Sequence, residues 1–353
     1  MQAIVYHENK DIRLEEVPEP VPGPGEVKLR ITGTSICATD IEEWQFGPLW
    51  VQHGSPNALT GKQTPLVIGH EVAGRVAELG EGVENISVGD RVAINTVLTC
   101  GTCFWCMRGQ QAVCPNMAVA GFMADGGLAE FMVWPADHLV PMPDSISDVE
   151  GPLLEPATVA VHGVRRSGVK PGDTVAVIGC GTVGLLTLQA FKAAGVRVIA
   201  IDVRELSLEL ATQLGADEVV NSRDEQAAAS RILELTNGIG PDIVIETAGA
   251  KETPRMAIEW ARRGGTVLLI GIYSTKPEID FNSIVGTEKT VIGSVATSPG
   301  DLEAAVELVA GGKINVKPLI SEVVPLSRAI EDGFNRMLDP NKKVFRIVIQ
   351  PGL

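Results

Sequence analysis

The stretch Val175-Ala176-Val177-Ile178-Gly179-Cys180-Gly181-Thr182-Val183-Gly184 decides the fold. An apolar run ending in G-x-G-x-x-G is the pattern of a strand that turns sharply into a helix. Gly179 permits the tight turn, Gly181 lets a pyrophosphate approach the backbone, and Gly184 allows helix and strand to pack closely. Thr182 and Val183 open a helix whose free N–H groups and partial positive charge suit phosphates. A second apolar strand, Arg197-Val198-Ile199-Ala200-Ile201-Asp202, ends in a carboxylate 23 residues after Gly179. There it can accept hydrogen bonds from ribose hydroxyls and repel a 2′-phosphate, so the motif reads as a dinucleotide site that favours NAD. Arg204 pulls the other way, because a guanidinium can meet a phosphate. Cys180 reads as a small packed residue between the glycines.

Working outward, apolar runs alternate with helical stretches. Helices are expected through Leu186 and Ala190, from Glu205 to Leu214 and from Ala228 to Leu235; strands are expected at 218–220, 242–246, 266–271 and 290–294. This alternation predicts a parallel, doubly wound sheet. Residues before about 150 read as short strands and turns, punctuated by Pro18, Pro20, Pro22 and Pro24 and by Gly80, Gly82 and Gly89. The final stretch is mixed, with helices at 301–309 and near 327–338 and a strand at 343–349 that rejoins the first half. The expected architecture is α/β: a β-rich domain of residues 1–152 and 297–353, and a doubly wound domain of residues 153–296. A length of 353 residues suits two domains.

A net charge of −15 disfavours a nucleic-acid or anionic-membrane partner, whose field repels such a chain. No apolar run reaches the roughly 18–20 residues that span a bilayer. The first ten residues lack the basic-then-apolar pattern of a secretory leader, so a cytoplasmic location is expected. Four of the six cysteines fall between 100 and 114, which favours metal binding over disulfides.

Those four, Cys100, Cys103, Cys106 and Cys114, stand as C-x2-C-x2-C-x7-C. Four thiolates in one loop can close a tetrahedron around zinc, leaving no open position; an iron–sulfur cluster is the rival reading, although its common run ends in a shorter gap. A second, dispersed set comprises Cys37 in SICATD, His70 and Glu71 in IGHE, and Glu155 in LLEP. Mixed sulfur, nitrogen and oxygen donors with an open position suit a zinc that acts as a Lewis acid.

Taken in order, Cys37, Gly69-His70-Glu71, the four-cysteine loop, Val88-Gly89-Asp90-Arg91-Val92, Glu155-Pro156-Ala157 and the glycine fingerprint resemble the zinc-containing medium-chain dehydrogenase/reductase superfamily over nearly the full length. Glu155, where classical alcohol dehydrogenases carry a cysteine, resembles the sorbitol, threonine and butanediol branch. The segment from Gly47 to Gly61 is similar to an insertion of 2,3-butanediol dehydrogenases. The resemblance implies a GroES-like catalytic domain and a Rossmann cofactor domain, and an enzyme with two zinc ions, one catalytic and one structural, and NAD. It implies Cys37 and His70 as ligands, with Glu71 and Glu155 sharing the remaining places with water or substrate. Asp40 would orient the ligand histidine, Thr39 would pass the substrate proton outward, and Thr158 would lie near the nicotinamide. The family often continues the proton path with a histidine five residues after the ligand cysteine; here that position is Glu42.

The resemblance thus points to NAD-dependent oxidation of a small secondary alcohol or vicinal diol, with polyol or threonine oxidation as the close rival and an idle NADH sensor as a rival of another kind. A homo-oligomer, dimer or tetramer, is expected from relatives. His7, His53, His138 and His162 read as surface or packing residues. Trp44, Phe46, Trp50 and Phe122 are divided evenly between lining a pocket and filling the core.

Overall fold

A computed structural model describes residues 1–339 and 343–353. The chain divides into two compact units: Met1–Glu155 with Thr297–Ala310 and Val316–Leu353, and Pro156–Ala296 with Gly311–Asn315.

In the first unit a seven-stranded sheet runs in the order Leu139–Pro141, Arg91–Ile94, Glu71–Leu79, Glu26–Ser35, Arg346–Gln350, Ile320–Pro325, with Phe131–Pro135 also pairing Glu26–Ser35. Its register brings distant residues together. Ser35 stands opposite both Glu71 and Val348, so the strand from the end of the chain delivers Arg346 to the start of the Glu71 strand. Alternation along Glu26–Ser35 puts Val27, Leu29 and Ile31 into one core with Val72, Val76 and Trp134. The helix Ala38–Phe46 comes directly after that strand, in a region where the sequence suggests only strands and turns. It starts because Asp40 accepts a 2.8 Å hydrogen bond from the Cys37 backbone N–H, satisfying a group that a helix start leaves open.

The second unit holds a six-stranded parallel sheet in the order Glu218–Asn221, Arg197–Asp202, Thr174–Ile178, Ile243–Glu246, Thr266–Leu269, Thr290–Gly293. The strand order reverses beside Thr174–Ile178, the switch point where open α/β sheets bind ligands. Val175–Ile178 and Val198–Asp202 are buried throughout, as expected of strands covered on both faces. The Glu225–Leu235 helix begins three residues before the expected Ala228, because the Asp224 side chain caps the Ala227 N–H at 3.0 Å.

The unit boundary falls after Glu155 instead of after residue 152. Leu154 is buried among Ala73, Met142, Leu302 and Val306, which keeps it with the first unit. Residues 311–315 belong with the second unit, where Gln189 exchanges two hydrogen bonds with Asn315, at 2.7 and 3.3 Å. Near the chain end, the expected helix around 327–338 is present as a 3-10 turn over Leu326–Arg328, a π-helix over Ala329–Phe334 and an α-helical turn over Asn335–Leu338. Among the described residues no helix is long and apolar enough to cross a membrane.

Candidate active site

The four-cysteine loop closes on itself. Sulfur separations are 3.6 Å for Cys100–Cys114, 3.9 Å for Cys103–Cys114 and 4.0 Å for Cys100–Cys106. Zinc–sulfur bonds of about 2.3 Å give tetrahedron edges of roughly 3.8 Å, so the spacing fits one ion with four thiolates. Gly101 and Gly109 take φ of 68° and 73°, which a side chain resists, and so give the loop its turns. Backbone N–H groups of Thr102 and Cys103 draw the Cys100 thiol down to about 6, toward the thiolate a metal needs.

The dispersed set comes together as well. Donor atoms of Cys37, His70 and Glu71 all lie within 4.8 Å of one another. His70 is buried, and its Nδ1 faces Asp40 Oδ1 at 3.1 Å. With Nδ1–H donated to that carboxylate, Nε2 is the lone pair left for a metal. Burial opposes charging of the imidazole, but Asp40, reinforced by Cys37, raises its pKa well above the usual value. The Thr39 hydroxyl stands 3.7 Å from the Cys37 sulfur.

Glu71 is gripped from behind by Arg346, which sequence reasoning missed. Arg346 is buried and donates from Nε at 3.0 Å and Nη2 at 2.7 Å to the two carboxylate oxygens; Ser35 Oγ donates to one of them. The same Nη2 lies 3.4 Å from Cys37 Sγ. Glu155, at the start of the Leu154–Ser167 helix, is not among the donor atoms that share the 4.8 Å cluster. Burial pushes its carboxyl up to about 7; His70 and Arg346 pull down while Glu71 and Asp40 push further up. Cys37, Asp40, Glu71 and Glu155 thus surround two basic groups, the imidazole of His70 and the guanidinium of Arg346. Sulfur, nitrogen and oxygen donors gathered in one buried place are the set a divalent cation completes.

In the second unit, Gly179 has φ of 93° and sits against Ala248, and a Cβ on Gly184 would stand 1.7 Å from the Gly179 carbonyl oxygen. A Cβ on Gly181 would meet nothing within 4 Å, which leaves open the approach a pyrophosphate needs. Asp202 is buried; its oxygens accept the N–H groups of Cys180 at 2.7 Å and Arg204 at 2.8 Å, and the Arg204 Nε is 3.5 Å away. Thr182 and Val183 open the helix Thr182–Ala193 at this turn. Thr158 is buried in the Leu154–Ser167 helix. Thr247 was also missed: its hydroxyl donates to the Gly179 carbonyl at 2.7 Å and braces the turn. Cys180 is buried, and its thiol pKa is pushed far up by that burial, as befits an inert packed residue.

The aromatic residues divide. Phe122 packs on His70 with ring centroids 4.8 Å apart, and Trp44 meets Phe334 edge-on at 5.7 Å. Phe46 and Trp50 are exposed. His7 pairs with Glu15 and His138 with Asp137, His53 faces the Thr64 hydroxyl, and His162 is buried.

Residues 23–144 match the alcohol dehydrogenase GroES-like domain and residues 182–311 the zinc-binding dehydrogenase domain. The chain is 33% identical to (R,R)-butanediol dehydrogenase of Bacillus subtilis (strain 168), over 99% of this chain and 100% of that one. It is 36% identical to L-threonine 3-dehydrogenase of Pyrococcus horikoshii, over 92% and 91% of the two chains. The crystal structure of 2R,3R-butanediol dehydrogenase from Bacillus subtilis superposes with a TM-score of 0.91 at 32% identity, covering 99% of both chains. The chain belongs to the zinc-containing medium-chain dehydrogenase/reductase superfamily. It is an oxidoreductase of the alcohol dehydrogenase type, and zinc and a nicotinamide dinucleotide are its cofactors.

Proposed function

We propose that this chain oxidises a small secondary alcohol or vicinal diol of the 2,3-butanediol kind to the ketone, reversibly, with NAD. The observation that carries the reading is the buried set of Cys37, His70 and Glu71, with Asp40 behind the histidine and Arg346 behind the glutamate. In this reading the first unit is catalytic and holds two zinc ions, the second by the four cysteines, and the second unit holds the cofactor. When bound, zinc supplies Lewis acidity and the dinucleotide an electron-pair acceptor.

The chain's own residues do the rest. Asp40 fixes the ring of His70, and Arg346 holds Glu71 in place by two hydrogen bonds. The Thr39 hydroxyl, beside Cys37, takes the substrate proton outward. Glu42 lies one turn further along the same helix, and burial raises its carboxyl pKa, so it holds a proton more readily than an ordinary glutamate. Asp202 accepts from the ribose diol, which favours NAD over NADP. Free thiols at all six cysteines are compatible with a reducing cytoplasm. The exposed edge strand Thr290–Gly293, with Val285 and Phe281 exposed nearby, supports a homo-oligomer.

The test is a panel of secondary alcohols, diols, polyols and threonine with NAD and NADP, with zinc counted per chain. A four-carbon vicinal diol with NAD is expected to lead in kcat/KM. A clear preference for threonine or sorbitol moves the chain to the rival substrate class. Cofactor binding without turnover on any alcohol favours the idle sensor.

A further inference from the structure

Glu43 is a buried carboxylate that the proposed chemistry leaves unused. It is 1% exposed and lies one turn beyond Asp40 on the Ala38–Phe46 helix. It accepts hydrogen bonds from three successive backbone N–H groups: Leu49 at 2.9 Å, Trp50 at 2.7 Å and Val51 at 3.3 Å. These residues begin the Gly47–Gly61 insertion. Gly47 makes the approach possible, since a Cβ there would stand 2.3 Å from a Glu43 carboxylate oxygen and 2.5 Å from the Tyr6 hydroxyl.

The insertion is fastened elsewhere too. Gln52 N–H donates to the Phe122 carbonyl at 2.7 Å, Thr64 N–H to the Gln52 carbonyl at 3.0 Å, and the Thr60 hydroxyl to the Met123 carbonyl. Lys62 pairs with Asp125 at 2.6 Å. Val51 is buried in the same core as Ile36, Ile41 and Phe122, and Phe122 rests on His70. One end of the insertion is therefore tied to the helix that starts at Cys37, and its body is tied to the turn that packs on the ligand histidine. Leu49 and Trp50 stay 53% and 42% exposed on a backbone held by one carboxylate.

We propose that Glu43 is a positioning residue for substrate selection. Its carboxylate fixes the backbone of Leu49 and Trp50, which lead into Val51 of the core that Phe122 shares, and Phe122 rests on His70; held there, their bulk would admit a compact vicinal diol and hinder a longer polyol whose extra hydroxyls would go unpaired. This rests on the diol reading and adds the group that sets its selectivity. A carboxylate suits the task because three converging N–H groups demand two charged acceptor oxygens; an amide offers one neutral oxygen and two donors.

The experiment compares the zinc-loaded wild type with Glu43→Gln, and with Lys62→Ala as a second variant that loosens the far side of the insertion if the first fails to fold. The readouts are hydrogen exchange at residues 49–51, zinc per chain, KM for NAD, and kcat and KM for 2,3-butanediol and sorbitol. In Glu43→Gln, exchange at 49–51 and KM for the diol should each rise about tenfold, the scale of a lost charge-assisted bond, while kcat changes much less. The diol-over-sorbitol ratio should fall, with zinc content and KM for NAD held. Lys62→Ala should shift exchange and ratio in the same directions by less. Unchanged exchange at 49–51, or a preserved ratio despite faster exchange, overturns the proposal. So does a fall in zinc and kcat with the ratio intact. A wild type that prefers sorbitol overturns the diol reading instead, and the exchange measurement, which involves no substrate, still decides whether Glu43 holds the insertion.

Discussion

Arg346 Nη2 lies 2.7 Å from Glu71 Oε1 and 3.4 Å from Cys37 Sγ, joining residues 275 and 309 positions apart in one buried charge group. Arg346→Met would leave the Glu71 carboxylate buried without its cation, a loss on the order of 3–5 kcal/mol. Chemical denaturation of the metal-free chain should show that drop. Arg346→Lys keeps the charge but gives up the two-point grip, so its loss should be smaller. Equal stability in Arg346→Met and wild type would show that Glu71 does not depend on the pair.

The two metal sets should separate by consequence. Cys103→Ser should lose one zinc equivalent and lower the thermal midpoint, because the four-cysteine loop is stabilised by its ion. Cys37→Ser should lose the other equivalent and abolish turnover while the fold is retained. Metal analysis and calorimetry on both variants decide it; unchanged zinc in either removes that set from the assignment.

Gly184 and Gly181 should fail differently. Gly184→Ala forces a methyl to within 1.7 Å of the Gly179 oxygen and should lower stability outright. Gly181→Val, with no protein atom within 4 Å of the new Cβ, should leave the melting point near wild type and raise KM for NAD. At the adjacent strand end, Asp202→Ala should cut the NAD-over-NADP ratio in kcat/KM about tenfold or more, the scale of a lost charged hydrogen bond. A wild type that prefers NADP would contradict the role given to Asp202.

Glu42 should leave a signature in pH. Burial raises its carboxyl pKa in the folded chain, so the folded state holds the proton more tightly than the unfolded state. Its contribution to stability is then fully present at acid pH and is lost as pH rises from the unfolded value through the folded one. Glu42→Gln removes that loss, so its melting point relative to wild type should climb across the same interval. If Glu42 continues the proton path, the variant should also alter the pH profile of turnover. Thr39→Ala should depress kcat about a hundredfold and Thr39→Ser much less.

The parallel sheet was legible because its signals are local. Val175–Ile178 and Val198–Ile201 are apolar runs capped by glycine and aspartate, and each lies on one continuous stretch. The helix Ala38–Phe46 was not legible, since Ile41 is its only buried apolar residue and Asp40 and Glu43 occupy its other buried positions. Those carboxylates face inward to serve His70 and the 47–61 insertion, so local polarity misreports their burial. Arg346 and Thr247 escaped for another reason: each acts on a partner remote in sequence, and only strand register or the switch point brings them together. Tertiary pairing overrode what composition suggests.

The pairing of Arg346–Gln350 with Glu26–Ser35 also sets an order of events during biosynthesis. Cys37, His70 and Glu71, at or beside the ends of the strands Glu26–Ser35 and Glu71–Leu79, emerge early, but Arg346 is translated only after the whole parallel sheet has been made. Until then a nascent chain carries the acidic donors without their counter-charge and the central sheet without its neighbouring strand. A chain stalled before Arg346 would therefore expose an open sheet edge and a repulsive cluster, features that quality control by chaperones and proteases detects.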